Sequence, residues 1–412
     1  MTNMRIVHLN SNDMLGGAAI AAKRLRDGQR ELGHEALLLV GDQQKPDAYT
    51  VAFGQPTLNW LKFVWERLYF RWFEKSKSVR FAFSPLVIGN SIETSEVIQS
   101  ADILHLHWIN FGYLSGQNLK AVLDLKKPTF ITLHDMWWIT GGCHHAGSCD
   151  RYTQQCGKCT SYLKHPKEDD LSRRQFELKQ WAMESASIHW IACSEWLAKR
   201  VRKSTLGQRF PVSVIPNPLD MSIFMPGDKL KAREKWKLEA DKFYVLIVAA
   251  KLEVLWKGID LLIEATAFFP QDTELLVVGQ MEESTAAQCH VPVRSLGIIR
   301  DSTEMAQVYQ AADVFALSSR FENLPNTIME AMGSGIPCVG FSIGGIPEMI
   351  DHQHSGYVAQ PFDVQDFATG IEACLENKKI WGHNAWVKAT RTYKKEVVVQ
   401  QILDLYTPPL NL

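Results

Sequence analysis

The segment Val314 to Gly340 reads VFALSSRFENLPNTIMEAMGSGIPCVG. Its first four residues are apolar, as a buried strand requires, and a second short strand-like run returns at Pro337 to Gly340. Between them Pro325 to about Gly333 is a helical stretch, with Pro325 suited to the first turn, where its missing N–H is not needed. A strand, a helix and a strand in so short a span form a β-α-β unit, whose strands run parallel because the helix crosses over the sheet.

Working outward, the alternation repeats. Upstream lie Tyr244 to Ala249, a helix from about Gly258 to Phe268, Glu274 to Val278 and a helix over Glu304 to Ala311. An earlier set runs from Arg5 to Leu9 through Ala36 to Val40, Ile103 to His107, Thr129 to Leu133 and Ile188 to Cys193, with helical stretches such as Ser172 to Ala186. The strand-like run Val212 to Ile215 ends in Pro216-Asn217-Pro218, where two prolines can neither continue a helix nor donate to a central ladder. The expectation is an α/β chain of two Rossmann-like, doubly wound domains, 1–212 and 213–386, facing across a cleft in which ligands bind. A C-terminal helix, about 387–412, packs back on the first domain, with Pro408-Pro409 ending the helical pattern.

The 412 residues, 46% apolar and 22% charged, describe an ordinary folded protein. With 44 basic and 45 acidic side chains, the net charge of −1 removes the global attraction expected of a nucleic-acid binder. No stretch approaches 18 apolar residues, and Met1 to Asn10 carries no basic region followed by an apolar one, so a cytoplasmic, non-spanning protein is expected.

Glu322 and Glu330 stand eight apart across the helix start. The N–H groups of the first turn, over Asn323, Leu324, Pro325, Asn326 and Thr327, together with the helix dipole, suit a phosphate or diphosphate. Glu330 could then accept from sugar hydroxyls while Glu322 faces the reacting end. The plainer alternative makes Glu322 a cap and Glu330 a solvated surface residue. In the first half, Gly16-Gly17 follows the first strand, where the absence of side chains lets backbone N–H groups approach a phosphate or an acceptor, or simply makes a tight turn. His134 follows a strand and should project into the cleft, whereas His105 and His107 read as structural.

Together with Gly335-Ile336-Pro337, Gly344-Gly345-Ile346-Pro347-Glu348 and Ala311-Ala312-Asp313, this ordered set resembles the bacterial retaining glycosyltransferases of family four, which have the GT-B fold. The resemblance covers most of the chain. It implies that Glu330 holds the ribose of a nucleotide-sugar donor, that Glu322 and His134 contact the donor sugar, and that Lys251 and Lys257 grip the diphosphate. Where the family usually has an arginine this chain has Lys251, a point charge in place of a forked contact. No cofactor is implied for the chemistry, and no Asp-x-Asp cation motif is present.

Cys143, Cys149, Cys156 and Cys159, in a segment resembling the exopolysaccharide and colanic-acid-type subgroup, could bind structural zinc, with His144 and His145 as spare ligands. Reduced thiols or a local disulfide are the alternatives. Leu58 to Phe73 places tryptophans among Lys62, Arg67 and Arg71 at helical spacing, which suits either a membrane interface or an aromatic core. The resulting expectation is a retaining hexosyltransferase acting on a saccharide or polyprenyl-diphosphate-linked saccharide in exopolysaccharide, capsule or O-antigen synthesis, peripheral on the inner face of the membrane. A nucleotide-sugar epimerase of the same fold and a non-catalytic nucleotide-sugar-binding scaffold are the competing readings.

Overall fold

A computed structural model describes residues 3–407. The chain divides into two α/β units, one running to Asn217 and resuming at Val398, the other Pro218–Val397. The division falls inside the Pro-Asn-Pro run, five residues beyond the 212/213 boundary read from the sequence. Of the two last helices, Lys378–Tyr393 belongs to the second unit, and only the stretch from Val398, within the helix Lys395–Tyr406, returns to the first. Pro408 and Pro409 lie outside the described residues.

The first unit holds seven parallel strands: β1 (Arg5–Asn12), β2 (Glu35–Asp42), β3 (Thr50–Ala52), β4 (Ile103–Leu106), β5 (Thr129–Leu133), β6 (Ile188–Ala192) and β7 (Val212–Val214). Their order is β3-β2-β1-β4-β5-β6-β7. The second unit has six: β8 (Phe243–Lys251), β9 (Thr273–Gln280), β10 (Val293–Ser295), β11 (Val314–Leu317), β12 (Cys338–Phe341) and β13 (Gly356–Ala359), ordered β10-β9-β8-β11-β12-β13. Both sheets are doubly wound, so each reverses its winding once, between β1 and β4 and between β8 and β11. Loops leaving the C-terminal ends of these central strands diverge there, and they carry most of the residues singled out in the sequence.

Both faces of the central strands are covered, which is why they read as continuous apolar runs. In the first unit Val7, Leu9, Leu104, Leu106, Ile131 and Leu133 turn to one core. The alternate residues Ile6, Ile103 and Phe130 turn to the other, where Ile402, Leu403 and Tyr406 of the returning helix cover them. Within that second face a row of polar residues, His8, His105 and Thr132, is fully or almost fully buried. No helix among the described residues is long and apolar enough to cross a membrane.

Candidate active site

At the switch point of the second sheet, β8 runs into a loop and a short 3-10 turn, Leu255–Lys257, closed by Gly258 in the left-handed region at φ 62°. A side chain at Gly258 would stand 2.2 Å from the Ser318 carbonyl, so only glycine lets this turn lie against the exit of β11. Two hydrogen bonds clip it there: Ser318 Oγ donates to the Lys257 carbonyl (3.0 Å) and the Arg320 N–H to the Trp256 carbonyl (2.8 Å). As a result Lys257 Nζ reaches Glu322 Oε1 at 2.7 Å. The Glu322 loop is fixed from its other side by the glycine pair, since Gly345 N–H donates to the Asn323 carbonyl (3.0 Å) and a Cβ on Gly344 would overlap the Glu322 carbonyl at 1.7 Å.

Asn323, Leu324 and Pro325 are buried, and the helix Asn326–Gly333 begins with Pro325 as its extended N-cap rather than inside its first turn. No side chain caps this helix, and Asn326 and Thr327 are part-exposed at its first positions. Glu322 therefore serves as the ion-pair partner of Lys257 and not as a cap. Glu330 is buried, not solvated: its Oε2 accepts the Tyr309 hydroxyl at 3.1 Å. Lys251 stands exposed at the end of β8 opposite Gln280, outside the Lys257–Glu322 pair. A small cavity at this switch point is lined by Leu252, Lys257, Ser318 and Ser319, and the buried Ser319 Oγ has no hydrogen-bond partner.

In the first unit Gly16, at φ 86°, is the N-cap of the helix Gly17–Glu31, and both glycines are exposed at the C-terminal end of β1. His134 follows β5 and is half-buried; loss of hydration lowers its pKa to about 4, so the ring is neutral near pH 7. Its Nε2 lies 3.2 Å from His107 Nδ1. The next residue, Asp135, receives the Trp137 N–H on Oδ1 and holds His144 Nδ1 at 2.8 Å, while His144 Nε2 sits 2.9 Å from Ser84 Oγ. His144 also stacks on Trp108, with ring centroids 4.5 Å apart. These contacts pin the glycine-rich loop behind His134.

That arrangement corrects the zinc expectation. Among the described residues the one group of three or more ligand-type side chains with all ligand atoms within 4.8 Å is His8, His105 and His107, so no three of Cys143, Cys149, Cys156 and Cys159 meet that spacing. Cys156 Sγ instead accepts the Gly141 N–H at 3.1 Å, and Cys149 is exposed. Burial raises Cys156 to about 12 and Cys159 to about 11, so both are thiols in the metal-free chain. All four are free, so the disulfide is not formed either. His144 is no spare ligand, because both ring nitrogens are engaged. The histidine trio offers no better site: all six ring nitrogens have hydrogen-bond partners.

The helix Pro56–Arg71 carries a second correction. Arg67 is buried, paired with Glu66 and donating to the carbonyls of Arg80 and Phe83, and Lys62 donates to Asn90 Oδ1. Of the three basic residues only Arg71 stays exposed, beside the apolar side chains Leu58, Trp60, Leu61, Trp65 and Leu68 and, just past the helix, Trp72, which is 79% exposed.

Residues 15–223 match the family described as Glycosyltransferase Family 4, and residues 243–377 match Glycosyl transferases group 1. The chain belongs to glycosyltransferase family 4. This family 4 chain is 30% identical over 207 residues to the D-inositol 3-phosphate glycosyltransferase of Mycobacteroides abscessus, a match spanning 47% of the chain and 46% of that relative, about half of each. Over 404 residues, 95% of the chain and 94% of the relative, it is 20% identical to the N-acetyl-alpha-D-glucosaminyl L-malate synthase of Bacillus anthracis. Its fold is that of the sucrose-phosphate synthase from Thermosynechococcus elongatus (TM-score 0.69, 17% identity, 98% of each chain). It is equally that of Anabaena HepE, solved in complex with UDP-glucose (TM-score 0.65, 18% identity, 98% of this chain and 99% of that one). The GT-B expectation therefore holds, while the names of these sequence relatives point to inositol phosphate and malate rather than to exopolysaccharide.

Sequence reasoning missed Tyr309 and Ser319, as well as His8, 3.0 Å from the His107 ring that meets His134, and Gln29, whose Oε1 stands 2.7 Å from His8 Nε2. Only the histidines left a usable trace: Leu104-His105-Leu106-His107 alternates with period two, which puts both histidines on one face of the strand.

Proposed function

We propose that this family 4 chain transfers a hexosyl group, with retention at the anomeric carbon, from a nucleotide-sugar donor to a saccharide or polyprenyl-diphosphate-linked saccharide in exopolysaccharide, capsule or O-antigen assembly. The observation that carries the reading is the Lys257–Glu322 pair, 2.7 Å apart where β8 and β11 diverge, beside the uncapped start of the helix Asn326–Gly333. An ammonium beside the positive end of a helix suits a diphosphate, which gains negative charge as its bond to the sugar breaks. HepE, of the same fold, was solved with UDP-glucose, which supports a nucleotide sugar as donor.

In this reading Lys257 and Lys251 stabilise the departing diphosphate, Glu330 accepts hydrogen bonds from the ribose, and Glu322 and His134 orient the sugar. The acceptor oxygen bonds to the anomeric carbon as the carbon–phosphate oxygen bond breaks, and the leaving phosphate takes the acceptor's proton. The chain supplies no separate base in this scheme. A lipid-linked acceptor is favoured by the exposed tryptophans of the helix Pro56–Arg71, which would place the protein at the cytoplasmic face of the membrane.

The test is a thermal-shift screen against UDP-, GDP-, ADP- and dTDP-sugars, followed by donor turnover with and without acceptor. A selective shift that is lost in Glu330→Ala, with acceptor-dependent turnover lost in Lys257→Ala and Glu322→Ala, is the expected result. Turnover that needs no acceptor identifies an epimerase. Binding without turnover identifies a scaffold.

A further inference from the structure

Behind His134 lies a chain of hydrogen bonds that ends on a glutamine of another element. Gln29, on the helix Gly17–Glu31, is fully buried. Its Nε2 donates to Tyr406 Oη at 3.3 Å, and its Oε1 stands 2.7 Å from His8 Nε2. An amide oxygen can only accept, so His8 carries its proton on Nε2 and presents a lone pair at Nδ1. His8 Nδ1 lies 3.0 Å from His107 Nε2, which must therefore donate. His107 Nδ1 is then the acceptor for His134 Nε2. Each bond fixes the direction of the next.

Each bond keeps this direction only while every ring is neutral, since an imidazolium donates from both nitrogens. Burial provides for this: His8 and His134 are held down to about 4, and His107 well below the ordinary histidine range. His105, stacked on His107 with centroids 4.4 Å apart, is likewise lowered by burial; it takes the Tyr406 proton on Nδ1 and donates from Nε2 to Thr132 Oγ1 at 2.7 Å. Arg26, on the helix of Gln29, pairs with Asp27 and Asp47, and its charge further disfavours protonation of His8. Asp135, beside His134, is committed to His144.

We propose that Gln29, acting through His8 and His107, fixes His134 as the Nε2–H tautomer, so that its Nδ1 is an obligate acceptor and selects a hydrogen-bond-donating hydroxyl on the transferred sugar. Gln29, His8 and His107 are positioning residues. Tyr406, on the returning C-terminal helix, orients the Gln29 amide by accepting from its Nε2. The selection of a hydroxyl rests on the reading of His134 as a sugar contact; the tautomer does not.

The experiment is a two-bond 15N–1H correlation spectrum of the full-length protein labelled with 15N-histidine, the His134 signals being assigned by their loss in His134→Ala. The expected spectrum has His134 as Nε2–H, unchanged from pH 5.5 to 8. A wild-type Nδ1–H ring overturns the proposal whether or not His134 contacts sugar. In Gln29→Leu the His134 signals should move toward a mixture of tautomers and turnover should fall roughly tenfold, the lower end of the loss found when the partner that orients a metal-bound histidine is removed. Introduced into His134→Ala, the same substitution should cause no further loss. A tenfold additional loss in that background would mean that Gln29 acts on the fold rather than on His134, and would overturn the positioning role. If Gln29→Leu does not fold, Tyr406→Phe serves the same comparison. Activity of His134→Ala equal to wild type would remove the sugar-contact reading while leaving the tautomer result standing.

Discussion

Replacing Lys257 with methionine separates what the residue does for folding from what it does for a leaving group. Its ammonium is 2.7 Å from Glu322 Oε1, with side chains 30% and 15% exposed. At an effective dielectric near 20, the gross Coulomb attraction at that spacing is about 6 kcal/mol. Dehydration of both ions and the ordering of two long side chains offset most of it, leaving about 1 kcal/mol for a pair that water still reaches. In a unit of this size that corresponds to a fall in Tm of about 2–4 °C. Catalysis asks more of the same ammonium. In the proposed reaction charge grows beside it as the sugar–phosphate bond breaks, and removal of one preorganised donor at such a position costs about 100- to 1000-fold in kcat. The donor KM should change less, because the charge at stake is greatest in the transition state. Calorimetry on the variant, paired with steady-state release of the nucleoside diphosphate, measures both quantities. A Lys257→Met protein that melts within a few degrees of wild type and retains more than a tenth of its turnover would refute the assigned role. Glu322→Gln gives the complementary check, since the amide keeps an oxygen for Lys257 and should shift the melt less while still lowering turnover.

Other outcomes follow from the same geometry. Gly344→Ala must accommodate a Cβ 1.7 Å from the Glu322 carbonyl at φ 57°, so turnover should collapse more than the melting temperature; full activity would show that the Glu322 loop can move freely. Tyr309→Phe leaves the buried Glu330 without its phenol partner and should cost about 1–3 kcal/mol, with a weaker donor-induced thermal shift; an unchanged melt and shift would exclude Tyr309 as the support of Glu330. Below pH 6.5 an unfolded chain protonates histidines that the folded chain, with His8 and His134 near 4, keeps neutral. Unfolding free energy should therefore decline as pH falls from 6.5 toward 4, by up to about 1.4 kcal/mol per pH unit for each such histidine, with a shallower slope in His8→Gln. Denaturant titrations at several pH values check the slope, and identical slopes would contradict it. Trp60, Trp65 and Trp72 changed together to serine should reduce sedimentation with anionic liposomes, whereas equal sedimentation would assign the exposed face to something other than lipid.

Much of the architecture was legible because a parallel sheet covered on both faces needs largely apolar strands, and Val314–Leu317 carries no other signal. The Pro-Asn-Pro junction was legible for a similar reason, as proline cannot donate. What failed depended on partners supplied from far along the chain. Arg67 lies within an aromatic, basic helix and reads as surface, yet it turns inward because the Arg80 and Phe83 carbonyls and the Glu66 carboxylate receive it, and Glu66 in turn accepts the Gly112 N–H. Glu330 reads equally well as a solvated helix residue, since nothing near it in sequence announces that the Tyr309 hydroxyl is waiting across the packed helices. The cysteines show the reverse error: their spacing suggests ligands, but among the described residues no three of them bring their sulfurs within 4.8 Å of one another.

The two switch points solve the same topological problem with opposite electrostatics. In each sheet the central strands end side by side, so loops from different parts of the chain bring side chains together without strain on the strands themselves. In the second unit the meeting side chains are ions, Lys257 and Glu322, left partly open to water, where an ion pair is inexpensive to keep and its partner can be exchanged for a phosphate. In the first they are neutral rings, His8 and His105 on β1 and β4 and His107 and His134 just past β4 and β5, where any charge would be costly and direction is carried by which nitrogen holds the proton. A diphosphate requires charge, and a sugar hydroxyl requires an oriented donor or acceptor. In the proposed function these two chemistries divide between two copies of one topology according to how deeply each set of side chains is buried, a property that neither sheet order nor local sequence specifies.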